Sequence, residues 1–343
     1  MLSHLKIQGS PFDVGAALGR FGAPAMHAYM KNTEAWATVM QWRGSEAVRE
    51  MGRLVQQRHP QYWQELQGMA AGLEIPFDEV LLWNCRGDVW AMAPDGCTTV
   101  QVPGTDHPAF AHNEDGDPGF SGQCAIAEIT VEGRRRFASF VYPGSLPGHT
   151  FAVSDAGLAM TVNNLRTLHT DFGLPRMVVA RAILDLADVA SALGYLQSCP
   201  RSGGFHLTLG QAGNPDLVSV EFNAALCSVV KLNKPALHAN HMIHAAMANQ
   251  PQIVTGSSGY RQIRGDELLQ QSAAQGTALD PLSILFDQGN AKFPIFRDAP
   301  DDSDQENTMA TASIRIHADS VEWEVYTRKS RVPLFHMING AQR

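Results

Sequence analysis

The feature that most constrains this chain is a change of period at Gly96-Cys97. Upstream, apolar residues recur at helical spacing: Val48, Met51, Leu54 and Val55, then Trp63, Leu66, Met69 and Ala70 beyond the break at Pro60. Pro76 ends that helix, and Asp78 is placed to cap the next. Pro94-Asp95-Gly96 is a turn signal, and Thr99, Val100, Gln101 and Val102 then alternate as in a strand. A chain with this switch folds as helices followed by a sheet, with Cys97 at the head of the first strand after the switch.

Downstream, strand pairs are expected at 125–131 with 137–142, 151–154 with 158–163, 205–209 with 217–222 (turning at Asn214-Pro215-Asp216), and 311–317 with 320–326. One helix is expected over 177–196, and another opening at Ser257-Ser258, whose serines can cap it. The order of helices, strands, helix, strands, helices, strands indicates an α+β fold. No repeat at a fixed period is seen. The acidic run 298–306 reads as a solvated loop.

Composition removes several classes. With 343 residues, 44% of them apolar, a substantial core can form. The net charge of −8 and the lack of any basic cluster beyond Arg134-Arg135-Arg136 argue against nucleic acid. Apolar runs fall short of the roughly 20 residues that span a bilayer. The N-terminus carries no secretory signature. The five cysteines are scattered and odd in number, which fits a reducing, cytoplasmic setting rather than a disulfide framework.

Cleavage of the Gly96–Cys97 bond would put a thiol and an α-amine on one residue. Their reference pKa values are about 8.5 and about 8, a nucleophile and a base suited to acyl transfer near neutral pH. Candidate oxyanion donors are Asn163 or Asn164, closing the strand from Leu158, and Asn240 in His238-Ala239-Asn240-His241. Asp115 could orient the amine or bind a substrate amine. Arg261 and Arg264 share a helix face. His238, His241 and His244, with Asp115, offer a metallohydrolase reading, and a non-catalytic binding protein is a third class.

Six short segments, in order, resemble the acyl-coenzyme A:isopenicillin N acyltransferase family of N-terminal nucleophile (Ntn) hydrolases, peptidase family C45. They are Glu65–Gly72, Gly96-Cys97-Thr98-Thr99, Asn113-Glu114-Asp115, Gly157–Asn163, His238–His241 and Ser258–Arg264. The resemblance implies a four-layer αββα sandwich made as a self-cleaving precursor. A helical segment 1–96 and a catalytic segment 97–343 would together make one globular domain. It implies Cys97 as nucleophile, its amine as base, Asn240 as the oxyanion-hole side chain, and Asp115 in support. Asn163 or Asn164 contributes, and Arg264 is preferred over Arg261. Glu114 stands where relatives often carry an aromatic residue, and its charge favours an amine-bearing substrate. The expected activity is hydrolysis of a linear C–N amide of a small N-acyl compound through a thioester. Acyl transfer from a thioester or amide donor to an amine is the alternative. No cofactor or metal is expected.

Overall fold

The computed structural model describes residues 2–94, 96–104, 107–276, 278–302, 304–327 and 329–343. Asp95 of the expected turn lies outside them. In chain order the strands are β1 (Ser3–Gly9), β2 (Gly96–Val102), β3 (Ala109–Gly116), β4 (Ala125–Val131), β5 (Arg136–Val141), β6 (Phe151–Ser154), β7 (Leu158–Asn164) and β8 (Phe205–Gln211). They continue with β9 (Asn214–Phe222), β10 (Cys227–Lys231), β11 (Ala236–His238), β12 (Asn307–Ile316), β13 (Val321–Tyr326), β14 (Phe335–Ile338) and β15 (Ala341–Gln342). The helices are α1 (Pro11–Ala28), α2 (Glu34–Met40), α3 (Glu46–Arg58), α4 (Pro60–Leu73), α5 (Phe77–Trp83), α6 (Arg86–Val89), α7 (Arg176–Ile183), α8 (Val189–Ser198), α9 (Gly256–Gln275) and α10 (Pro281–Leu285).

The fold is mixed α and β, built on two large sheets. One runs β1-β4-β5-β6-β7-β8-β9-β10 and the other β11-β2-β3-β12-β13-β14-β15. The sheets meet where β2 faces β7, through Thr99 Oγ1 to Asn163 Oδ1 (2.7 Å), and where Gln101 Nε2 donates to Thr208 Oγ1 of β8 (2.7 Å). Apolar contacts join them elsewhere, as where Trp323 of β13 meets Phe151 of β6 edge-on. β2 is buried along its whole length, so its alternation separates two packed faces rather than core from water.

Helix α1 starts on a reciprocal cap between Ser10 and Asp13, with Pro11 in its first turn. It packs on α4 and against β1 and β4. Helix α9 lies against β11, and α10 against β2, β3 and β12. β1 comes from the segment expected to be helical and pairs in parallel with β4 across the proposed cleavage point.

Four local expectations are corrected. The single helix over 177–196 is two, because Asp188 caps a second one by accepting from Ser191 N, and Asp185 turns back to Arg181 and Tyr62. The β8–β9 turn is at Ala212-Gly213, where Gly213 takes φ +77°, so Asn214-Pro215-Asp216 begins β9. Thr255, not the serines, caps α9, accepting from Ser258 N. Finally, the acidic run is not wholly solvated: Asp302 pairs with Arg297 in a buried two-pronged contact (2.7 and 2.8 Å), and Glu306 is 1% exposed. Among the described residues no helix is long and apolar enough to cross a membrane.

Candidate active site

Period-two geometry on β2 and β3 makes the core of the site. Gly96 pairs with Asp115, Cys97 with Glu114, and Thr99 with His112. Directly opposed residues of an antiparallel pair share a face. Cys97, Thr99, Glu114 and His112 therefore look one way, toward the first sheet, while Gly96, Thr98, Asn113 and Asp115 look the other.

On the first face, Cys97 is 2% exposed and its Sγ lies 3.8 Å from Glu114 Oε2. The same oxygen is 3.2 Å from His112 Nε2. His112 Nδ1 is 2.8 Å from Thr99 Oγ1. Burial pushes His112 down to about 3, so its ring is neutral at ordinary pH. Among the described residues, Cys97, His112 and Glu114 also form the grouping whose donor atoms, all within 4.8 Å of one another, could hold a metal ion.

On the second face, Asp115 Oδ1 accepts from Thr308 Oγ1 (2.7 Å). Burial raises the Asp115 carboxyl against the pull of Arg261 and Arg297. Glu306 reaches Gly96: a Cβ there would sit 2.0 Å from Glu306 Oε2 and 3.2 Å from Asp115 Cβ, so a larger residue would displace the Glu306 carboxyl. Among the described residues, neither Glu306 oxygen has a hydrogen-bond partner, and Arg166 Nη2 stands 3.8 Å away. Burial pushes Glu306 up to about 8 despite Arg166 and Arg297. Glu306 and Arg166 line a cavity of about 680 Å³ whose other walls include Tyr29, Trp90, Met92 and Asp117.

The backbone of Cys97 is gripped from the segment after β11. Its N–H donates to Asn240 Oδ1 (3.0 Å), and its carbonyl accepts from Arg261 Nη1. Arg261 also donates to Thr98 Oγ1 (2.7 Å) and Asn240 Oδ1 (2.6 Å). Asn240 Nδ2 donates to the Asn164 carbonyl (3.2 Å), and its N–H to Ser258 Oγ (2.9 Å).

Cys97, Gly96, Asn240 and Glu114 thus converge. Asp115 flanks Gly96 on the face away from the thiol. Of the two asparagines ending β7, Asn163 ties Thr99 to His206 and to the His238 carbonyl, whereas Asn164 accepts from Arg176 and offers its carbonyl to Asn240. The preference for Arg264 is reversed. Arg264 lies at the surface and pairs with Asp287 and Glu267, while Arg261 is 1% exposed and reaches Cys97.

The histidine reading is not assembled. The segment after His238 is not helical. His238 pairs with Glu221 (2.8 Å) and stacks on His206, His241 bonds Ser258, and His244 bonds Ser219 and Ser228. Sequence reasoning missed His112, Glu306, Arg166 and Arg297. His112-x-Glu114, two residues apart on a strand facing Cys97, was a signal for the first. Nothing local marks the others.

A profile of the family described as acyl-coenzyme A:6-aminopenicillanic acid acyl-transferase matches residues 102–329, about two thirds of the chain. The chain belongs to that family. The family match begins just after Cys97. The chain is 26% identical over 259 residues (70% of it, 69% of the relative) to the acyl-coenzyme A:6-aminopenicillanic-acid-acyltransferase 40 kDa form of Emericella nidulans. It is 25% identical over 219 residues to the beta-alanyl-dopamine/carcinine hydrolase of Drosophila melanogaster, covering 56% of each chain. Family membership and these relatives, an acyltransferase and a hydrolase, identify an enzyme of acyl-transfer or hydrolytic chemistry.

Proposed function

We propose that this member is a self-processing Ntn-type cysteine amidohydrolase with the four-layer αββα sandwich of such enzymes. The observation that carries the reading is the grip on Cys97. The first side chain of β2 is a nucleophile whose backbone N–H sits 3.0 Å from Asn240 Oδ1, with a glycine before it that lies against the Glu306 carboxyl. Cleavage of Gly96–Cys97 turns that N–H into an α-amine beside its own thiol and leaves fragments 1–96 and 97–343.

In the mature enzyme the Cys97 thiolate attacks the amide carbonyl of a small N-acyl compound. Asn240 Nδ2 and a backbone N–H stabilise the oxyanion. The α-amine, held by Asn240 and Asp115, protonates the departing amine. Water then hydrolyses the thioester. Acidic Asp117 beside aromatic Tyr29 and Trp90 in the neighbouring cavity favours an amine-bearing substrate, in keeping with the name of the insect relative. The name of the fungal relative favours the second reading, transfer of the acyl group from a thioester or amide donor to an amine. The five scattered cysteines fit a cytoplasmic site of action.

Intact denatured mass tests the reading. Wild type should yield two fragments meeting between Gly96 and Cys97, and Cys97→Ala should remain at 37.3 kDa and lack amidase activity. A single unprocessed species with an unreactive Cys97 would favour a binding protein instead.

A further inference from the structure

An α-amine that acts as base exists only after cleavage. The precursor must therefore draw the proton from the Cys97 thiol with another group, and the first face of the site contains one.

The hydrogen-bond pattern fixes the protons. Asn163 Nδ2 donates to the His238 carbonyl (3.0 Å), so Asn163 Oδ1 is the atom that faces Thr99. The single hydroxyl proton of Thr99 goes to that oxygen at 2.7 Å. Thr99 Oγ1 can then only accept from His112 Nδ1, which therefore carries the ring hydrogen (2.8 Å). In the neutral ring Nε2 is a bare lone pair, and it points at Glu114 Oε2 from 3.2 Å. Two acceptors at that distance repel until a proton lies between them. The ionised carboxylate is thus paired with a neighbour that rewards its protonation, and the thiol that can supply the proton is 3.8 Å from the same oxygen.

We propose that Glu114, backed by the bare Nε2 of His112, is the general base that activates Cys97 for self-cleavage of the precursor. The proposal rests on the self-processing reading above. The thiol proton passes to Glu114 Oε2, and the resulting acid donates to His112 Nε2. The sulfur lone pair forms a C–S bond to the Gly96 carbonyl carbon. The C–N bond breaks, its electron pair goes to the Cys97 nitrogen, and that nitrogen takes the proton back from Glu114. Water then hydrolyses the thioester: its hydroxyl joins the Gly96 carbonyl, and its hydrogen returns to sulfur. One water is consumed and no oxidant is needed. Glu114 is a catalytic residue here because it touches the reacting sulfur. His112 is a positioning residue that acts through it.

The test compares wild type, Glu114→Gln and His112→Asn as full chains, each checked for folding by circular dichroism. Conversion of precursor is timed by intact mass. Alkylation of Cys97 by iodoacetamide at short times is followed by peptide mass spectrometry. Glutamine keeps a donor for His112 Nε2 but removes the base, so cleavage should slow on the order of 100-fold, with a matching fall in alkylation rate. His112→Asn should slow both by a smaller factor, and the double variant should be no slower than Glu114→Gln alone. Cleavage and alkylation at wild-type rates in a folded Glu114→Gln chain would overturn the proposal and leave the self-processing reading intact. Cleavage that speeds up on adding a chelator would also overturn it, since a cation rather than a proton would then bridge Glu114 and His112. If wild type never cleaves, the processing reading fails, and the alkylation rates still decide whether Glu114 activates the thiol.

Discussion

Two arginines one helical turn apart show how sharply roles divide. Arg261 spreads its guanidinium over the Cys97 carbonyl, Thr98 Oγ1, Asn240 Oδ1 and Ser257 Oγ, entirely out of water. A lysine ammonium is a point charge and cannot span those partners. Arg261→Lys is expected to lower the rate of self-cleavage at least about tenfold, read by intact mass. Arg264→Lys alters only pairings with Asp287 and Glu267 away from Cys97, so its cleavage rate should match wild type and its stability should change by less than about 1 kcal/mol. Equal losses in both variants would mean that Arg261 does not organise the Cys97 backbone.

Glycines let the backbones of helices α1 and α4 approach closely. A Cβ at Gly68 would lie 1.9 Å from the Phe12 carbonyl oxygen, and one at Gly15 would lie 1.9 Å from that of Glu65. A Cβ at Gly72 would lie 2.1 Å from the Ala16 carbonyl oxygen, and one at Gly19 2.4 Å from that of Met69. Backbone cannot rotate aside as a side-chain tip can, so Gly68→Ala must push the helices apart. It should cost about 3 kcal/mol, at the upper end of overpacking, seen as a lower denaturant midpoint. Gly194 in α8 is also a helix glycine, but nothing lies within 4 Å of its added Cβ. Gly194→Ala should stabilise by about 0.5–1 kcal/mol through chain entropy and helix propensity. The helical period of α4 was legible before the fold was known. The reason for its glycines was not, because only α1 supplies the opposing carbonyls.

At the scale of the whole molecule, burial of ionisable groups sets opposing pH dependences. His112 and His241 are held down to about 3 and about 4 by burial, and His206 is lowered as well. Such groups favour the folded state when neutral. Their contribution is present above about pH 6.5 and is lost as pH falls from there toward 4. Glu306 runs the other way. Its folded value of about 8 lies above the ordinary 4.5, so its contribution is full below about pH 4.5 and is lost as pH rises to about 8. Urea unfolding of wild type should therefore weaken on acidification below about pH 6. Glu306→Gln should flatten the decline between pH 5 and 8 by up to about 1.4 kcal/mol per pH unit. An unchanged slope would show that Glu306 ionises freely in the folded protein.

The sequence by itself determined the switch from helices to strands at the site and several of the strand pairs beyond it. The change of period at Gly96-Cys97 placed Cys97 at the start of β2, whereas β3, which carries Glu114 and Asp115 on opposite faces, was not among the strands read from the sequence. Strand and helix periods are local properties of backbone geometry, so they can be read from neighbours in sequence. Only the tertiary structure decided what each face meets. It chose Arg261 over Arg264, tied His238, His241 and His244 each to its own partner, and drew Asp302 and Glu306 out of an acidic run into the interior. Those outcomes depend on how two sheets and their helices dock. Burial there is fixed by the space left between packed surfaces, which no local pattern encodes.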